Sequence, residues 1–170
     1  MNMIKAGLAD IERLLFFAER TFRIAYQADN DPVEFEAYCA QAFTVDQFRQ
    51  EMENPHAEFW LGEGEGQLMA YVKLNYQAPH ETLPGLQCAQ VERIYVAPEA
   101  QGKGIGAALL DFSCEKALTF GNDTLWLSVW QKNPRAVKFY ERCGFEICGT
   151  EIFDVGNDPQ LDWVMYKSLI

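Results

Sequence analysis

The chain has 170 residues, 49% of them hydrophobic and 14% aromatic, enough to bury one core and to exclude a disordered chain. No apolar run approaches the roughly 20 residues of a membrane span, so no membrane partner is expected. The formal net charge of −11 argues against a nucleic-acid partner. Met1–Gly7 reads as a first strand. Asp10 then caps a predicted helix over Ile11–Tyr26, with Ile11, Leu14, Leu15, Ala18 and Phe22 at helical spacing. An acidic loop with Asp29, Asp31, Glu34 and Glu36 leads to a short helix over Phe35–Phe43. Thr44 and Gln47 form a capping-box pattern for a third helix that ends near Asn54-Pro55. Glu58–Leu61 and Gln67–Tyr76 read as a hairpin around Gly62–Gly66.

A loop over Pro79–Gly85 precedes a strand over Gln87–Val96. The run Gln101-Gly-Lys-Gly-Ile-Gly106 follows it and opens a helix from Ile105 to about Phe120. Glycines at 102, 104 and 106 let consecutive backbone N–H groups face one point, and a helix mouth favours an anion. The spacing fits neither G-x-x-x-x-G-K-[ST] nor G-x-G-x-x-G, which excludes the common nucleotide triphosphatase and dehydrogenase loops. A phosphate cradle for a nucleotide-like cofactor and a plain connector both remain open on these six residues. Leu125–Trp130 is apolar on both faces, as a central strand is. Asn133-Pro134 starts a helix that stops at Gly144. Phe145–Phe153 and Leu161–Lys167 close as two strands around an acidic loop.

This order gives one α+β domain over residues 1–170, α/β-like at its centre, around a single mixed sheet. The strands on either side of the glycine-loop helix are expected to be parallel, with a right-handed crossover. Five cysteines, an odd count without C-x-x-C spacing, read as free thiols of a reducing cytoplasm. With only His56 and His80, no metal site is expected. Charge is uneven: residues 91–144 carry 7 Lys+Arg and 6 Asp+Glu, and the remainder carries 7 and 19. The glycine-loop half does not repel an anion, and the rest attracts a cation.

Two signatures together identify a family resemblance. Gln101–Gly106 fits [Q/R]-x-x-G-x-[G/A], and Asn133-Pro-Arg-Ala-Val-Lys-Phe-Tyr-Glu-Arg-Cys-Gly-Phe145 fits N-x-x-A-x-x-F-Y-x-x-x-G-F. The chain thus resembles the GCN5-related N-acetyltransferase (GNAT) superfamily over residues 56–153. Val91–Val96, Leu125–Trp130 and the tail Phe153–Asp162 look most like its PaiA-type spermidine/spermine N-acetyltransferases. The tail departs from that pattern at Pro159 and Leu161, which bears on the acceptor and not on the donor.

The resemblance implies a mostly antiparallel sheet of six or seven strands with two splayed parallel central strands. It implies acetyl-CoA as donor and a small-molecule amine, such as spermidine or spermine, as acceptor. The pantetheine would lie beside Ile94, Tyr95 and Val96. The pyrophosphate would lie on the amides of Gln101, Gly102, Lys103, Gly104, Ile105 and Gly106. Asn133 and Arg135 complete the expected cofactor contacts. Tyr140 is the expected general acid for the leaving thiolate, and Glu92 the expected base for the amine. Glu92 is read here on one face with Gln90, Ile94 and Val96, by strand alternation. Phe22, Tyr26, Asp29, Asp31, Glu34, Tyr38 and Trp60 are candidates for the acceptor pocket. Cys143 lies close enough to Tyr140 to keep a covalent acetyl carrier open. A peptide N-terminal or lysine acetyltransferase, and a non-catalytic acyl-CoA-binding regulator, are the other functions weighed. The sequence leaves room for a homodimer.

Overall fold

A computed structural model describes all of Met1–Ile170. Seven strands form one sheet: β1 (Asn2–Lys5), β2 (Ala57–Gly64), β3 (Gln67–Asn75), β4 (Cys88–Val96), β5 (Thr124–Trp130), β6 (Glu146–Val155) and β7 (Asp158–Ser168). Five helices flank it: α1 (Ile11–Tyr26), α2 (Pro32–Ala42), α3 (Val45–Glu53), α4 (Ile105–Thr119) and α5 (Pro134–Arg142). The sheet order is β1-β2-β3-β4-β5-β7-β6. Only β4 and β5 run parallel.

Each face of the sheet buries one helical layer. Ile11, Leu14, Phe17 and Ala18 of α1 recur every three or four residues and meet Phe48 of α3 and Phe59, Leu61 and Tyr71 of the sheet. On the opposite face, Leu109 and Leu110 of α4 pack on Val72, Val91, Leu125, Leu127 and Val129, with α5 beside them. Burying each such side chain contributes about 1.5–3 kcal/mol.

Helix starts follow local hydrogen-bond chemistry. Thr44 accepts from the Gln47 amide at 3.1 Å, as the capping pattern implies. Asp10 keeps the N-cap position of α1, but its side chain serves the preceding 3-10 turn Leu8–Asp10, accepting from the Gly7 amide at 2.8 Å. The predicted acidic loop is shorter than expected, because Asp31 accepts from the Val33 and Glu34 amides at 3.0 and 3.1 Å and starts α2 at Pro32. The last two strands are also longer than expected. Their hairpin turns at Gly156-Asn157, and the Asn157 amide donates to Glu34 of α2 at 2.5 Å. That contact seats the hairpin tip against the helical layer.

Candidate active site

The parallel pair β4–β5 is joined only at Cys88–Thr124, Ala89–Leu125 and Gln90–Trp126. Beyond Gln90 and Trp126 the strands separate. The β5-facing backbone edge of Val91–Val96 therefore has no strand partner, and such groups require one. A linear chain carrying amides can supply it.

The wide end of this opening leads to the glycine loop. Gly102 and Gly104 both have φ of +77°, the left-handed region that glycine enters without strain. A Cβ built at either would meet nothing within 4 Å, so the loop's outer side is open. The first helical bond of this segment runs from the Ala108 amide to the Gly104 carbonyl. The amides from Gly102 to Ala107 precede it at the mouth of α4, where helix geometry leaves N–H groups without internal partners. Gly106 serves packing: a Cβ there would lie 3.1 Å from the Phe139 ring. Gln101 pins the loop to β4 by donating to the Val96 carbonyl at 3.3 Å. Lys103 and Arg135 are exposed at the same end. A polyanion ending in an amide-bearing arm fits this cradle and gap.

Asn133 accepts from the Ala136 amide at 3.2 Å and caps α5. That helix holds Tyr140 beside the core under α4, between the Phe139 ring at 5.2 Å and Phe145 at 6.1 Å. Burial pushes the Tyr140 phenol above its ordinary value, and Tyr26 from the other layer adds to the push. The hydroxyl is therefore protonated at neutral pH and can donate. Burial also pushes the Cys143 thiol up, which disfavours the thiolate a covalent carrier needs.

Glu92 differs from the sequence expectation. Lys73 pairs with Arg93 and Leu74 with Val91, so Glu92 is the extra residue of a β-bulge. The bulge shifts the alternation by one. Glu92 shares its side of the strand with Gln90, since Asn75 Nδ2 donates to both, at 2.7 and 3.0 Å. Ile94 and Val96 instead pack with the core under α4 and α5. The Glu92 carboxylate also pairs with Lys73 at 2.5 Å. Lys73, 5% exposed, bridges to Glu51 at 2.9 Å, and Arg93 grips Glu51 with two bonds of 2.9 Å. Burial of Glu51 opposes its charge, yet Arg93 and Lys73 hold its carboxyl below the usual range.

On this same side lies a cavity of about 140 Å³. Phe22, Tyr26, Tyr38, Tyr95, Trp130 and Phe153 form its aromatic wall. Tyr95 was expected among the cofactor contacts, but its side chain belongs here, stacked on Tyr71 at 5.7 Å. Phe22, Tyr26 and Tyr38 lie where the acceptor pocket was sought. Trp60 does not: it packs on Phe112 at 5.0 Å, under Lys116, on the opposite face. Asp31, Glu34 and Glu36 are likewise engaged elsewhere, as a cap, as the acceptor for Asn157, and as a partner of Arg23. Sequence reasoning missed Asp162. It sits on β7 opposite Trp130, is 8% exposed, and lines the cavity. Its signal in the sequence was a single carboxylate at an inward position of the strand that continues Trp-Val-Met-Tyr.

A split parallel pair, a glycine cradle at its mouth and a tyrosine on the following helix define an acyl-CoA-dependent acetyltransferase. The chain belongs to the Acetyltransferase (GNAT) family, whose model matches residues 18–145. It uses acetyl-CoA as acetyl donor and is an N-acetyltransferase. An uncharacterized N-acetyltransferase of Lactobacillus delbrueckii subsp. lactis is 25% identical over all of this chain and 98% of its own length. In fold, the chain is similar to the PaiA N-acetyltransferase of Thermoplasma acidophilum solved with coenzyme A. The TM-score is 0.76 at 20% identity, covering 98% of both chains. The spermidine N-acetyltransferase of Vibrio cholerae, solved with CoA and spermine, superposes at TM-score 0.71 and 20% identity over 99% of this chain and 95% of that one.

Proposed function

We propose that the chain acetylates the primary amine of a small alkylamine, a polyamine such as spermidine or spermine. One observation carries this reading. The β4–β5 opening has a phosphate cradle at its mouth, and an aromatic cavity with carboxylates lies beside its far side. Aromatic faces and carboxylates together favour a cation. The spermine held by the Vibrio cholerae enzyme of the same fold supports the class.

The bound donor supplies an activated thioester in the opening. The amides of Gly102–Gly106 hold its phosphates, with Lys103 and Arg135 as the nearby cations. The freed edge at Ile94–Val96 satisfies its amides and polarises the carbonyl. Tyr140 donates a proton to the departing sulfur. The amine must lose its proton before attack, since aliphatic amines are cationic at neutral pH. Glu92 is placed at the cavity as the acceptor of that proton, directly or through water. Its pairing with Lys73 and Asn75 fixes the carboxylate's position.

Turnover of acetyl-CoA with a panel of amines, read by free-thiol release, tests the reading. Thiol release with spermidine or spermine, and acetylated product by mass, is the expected result. Turnover confined to peptide N-termini or lysyl peptides would replace the polyamine assignment. Donor binding without turnover on any amine would point to a regulator.

A further inference from the structure

The polar groups that line the cavity are Asn30, Glu92, Arg93, Gln160 and Asp162, besides the tyrosines. Four of them are already occupied. Glu92 is held by Lys73 and Asn75, and Arg93 by Glu51. Gln160 donates to Asn30 at 2.5 Å and to Asp158 at 3.0 Å. Asp162 has no such partner. It accepts no hydrogen bond and pairs with no cation, although it is 8% exposed. Every fully enclosed side-chain oxygen in the molecule is hydrogen-bonded, so the Asp162 oxygens keep contact with the cavity space. The nearest carboxylate, Glu151, is itself committed: Ser128 donates to it, and His80 lies 3.1 Å from its other oxygen.

A buried carboxylate without a partner is costly unless something completes it. Here the walls on either side are Tyr26, Tyr95, Trp130 and Phe153, which favour a cation over a neutral donor. A cavity of about 140 Å³ suits an aminoalkyl arm and not a folded segment. We propose that Asp162 is the anionic anchor for the acceptor's primary alkylammonium group, and so a specificity-determining residue of the acceptor site. It binds the incoming ammonium and orients its alkyl arm along the aromatic wall. The proposal rests on the acetyl-transfer reading above. The alkylammonium can come from a free polyamine or from a lysyl side chain.

The test uses the full chain and the variants Asp162→Asn and Asp162→Glu. Calorimetry of spermidine, and separately of Nα-acetyl-lysine amide, is run on protein saturated with CoA, and KM and kcat are measured with both amines. Asn should weaken affinity for the preferred amine, and raise its KM, by about tenfold or more, with CoA affinity unchanged. Glu should recover part of the loss. Methoxyamine, neutral at pH 7.5, should show the same KM in wild type and Asn variant. Wild-type affinity for the ammonium in the Asn variant overturns the proposal, as does a wild-type protein that binds neither amine. Binding that depends on Asp162 without any acetyl product would leave the anchor standing and sink the transfer reading. Preference for the lysine amide would keep the anchor and change its source.

Discussion

Asp162 ought to make the protein less stable than it would be without the charge, and the effect has a defined pH window. Burial raises its carboxyl from 3.8 to about 6, and Glu151 on β6 adds to the push. The other titratable or charged groups around the cavity are Tyr26 on α1, Tyr38 on α2, Tyr71 on β3, and Glu92, Arg93 and Tyr95 on β4. A folded pKa above the unfolded one means that the folded state binds the proton more tightly. The stabilising effect of protonation is full below pH 3.8 and is lost as pH rises through about 6. The shift corresponds to about 3 kcal/mol at most, and contact with cavity water lowers that to roughly 1–3 kcal/mol. Asparagine mimics the protonated form in shape and charge. Asp162→Asn should therefore raise Tm at pH 7.5 by roughly 3–10 °C for a chain of this size. The gap between variant and wild type should close as pH falls toward 4. Thermal and urea unfolding at several pH values between 4.5 and 8 measure both quantities. A gap independent of pH, or a variant less stable than wild type at pH 7.5, would refute the reasoning.

Other expectations follow from the same geometry. Gly104→Val puts a β-branched residue at φ +77° and a side chain into the open side of the cradle; acetyl-CoA affinity should fall at least about tenfold, or about 1.4 kcal/mol, by calorimetry. Tyr140→Phe should lower kcat roughly tenfold or more with acetyl-CoA binding unchanged; wild-type turnover where chemistry limits the rate would reduce Tyr140 to packing. Lys73→Met leaves Glu92 with only the longer 3.6 Å contact to Arg93 and Glu51 with Arg93 as its one cation, so urea unfolding should show a loss of about 2–4 kcal/mol. KM for spermidine should rise with added salt more than KM for acetyl-CoA, because screening reaches about 8 Å at physiological ionic strength.

The donor half of the site was legible because its chemistry is local. The two signatures, Gln101–Gly106 and Asn133–Phe145, each fall within one turn and one helix, so spacing along the chain is spacing in space. The parallel pairing of Val91–Val96 with Leu125–Trp130 followed from the order of elements, and their splay from the family resemblance. The proposed acceptor half was legible only in part, because it is assembled from α1, α2, β3, β4, β5, β6 and β7. Alternation along β4 gave the wrong face for Glu92 relative to Ile94, since a bulge depends on the register against Lys73 and Leu74 of β3. Asp31, Glu34 and Glu36 read as a substrate-attracting cluster, yet a cap, a hairpin contact and Arg23 occupy them. Asp162 lay hidden because its importance comes from what it lacks, a partner, and partners are not written in a strand's pattern.

On the proposed reading, the bulge at Glu92 lets one strand serve two substrates. In a regular strand, residues 92 and 94 would point the same way and 93 the other. With the extra residue, Glu92 and Arg93 both reach the Glu51–Lys73 cluster, and Tyr95 follows them to the acceptor cavity. Ile94 and Val96 turn to the core beneath α4 and α5 and brace the strand there. The backbone edge between the two sides stays free, because β5 has already diverged. On the proposed reading, the donor meets main chain while the acceptor meets side chains, and neither site restricts the other's residue choices. On this account, a substitution that removes the bulge, such as deletion of Glu92, should do more harm than Glu92→Gln. The deletion lets Val91 and Arg93 pair as consecutive residues with Leu74 and Lys73, so Arg93 and Tyr95 keep their side while Lys73 and Asn75 lose an acceptor, whereas the amide keeps the bulge and can still accept from Asn75 and Lys73. Spermidine KM and kcat for the two variants, with acetyl-CoA affinity as control, separate the cases. Equal defects would mean that the carboxylate, and not the register it marks, is what the acceptor site needs.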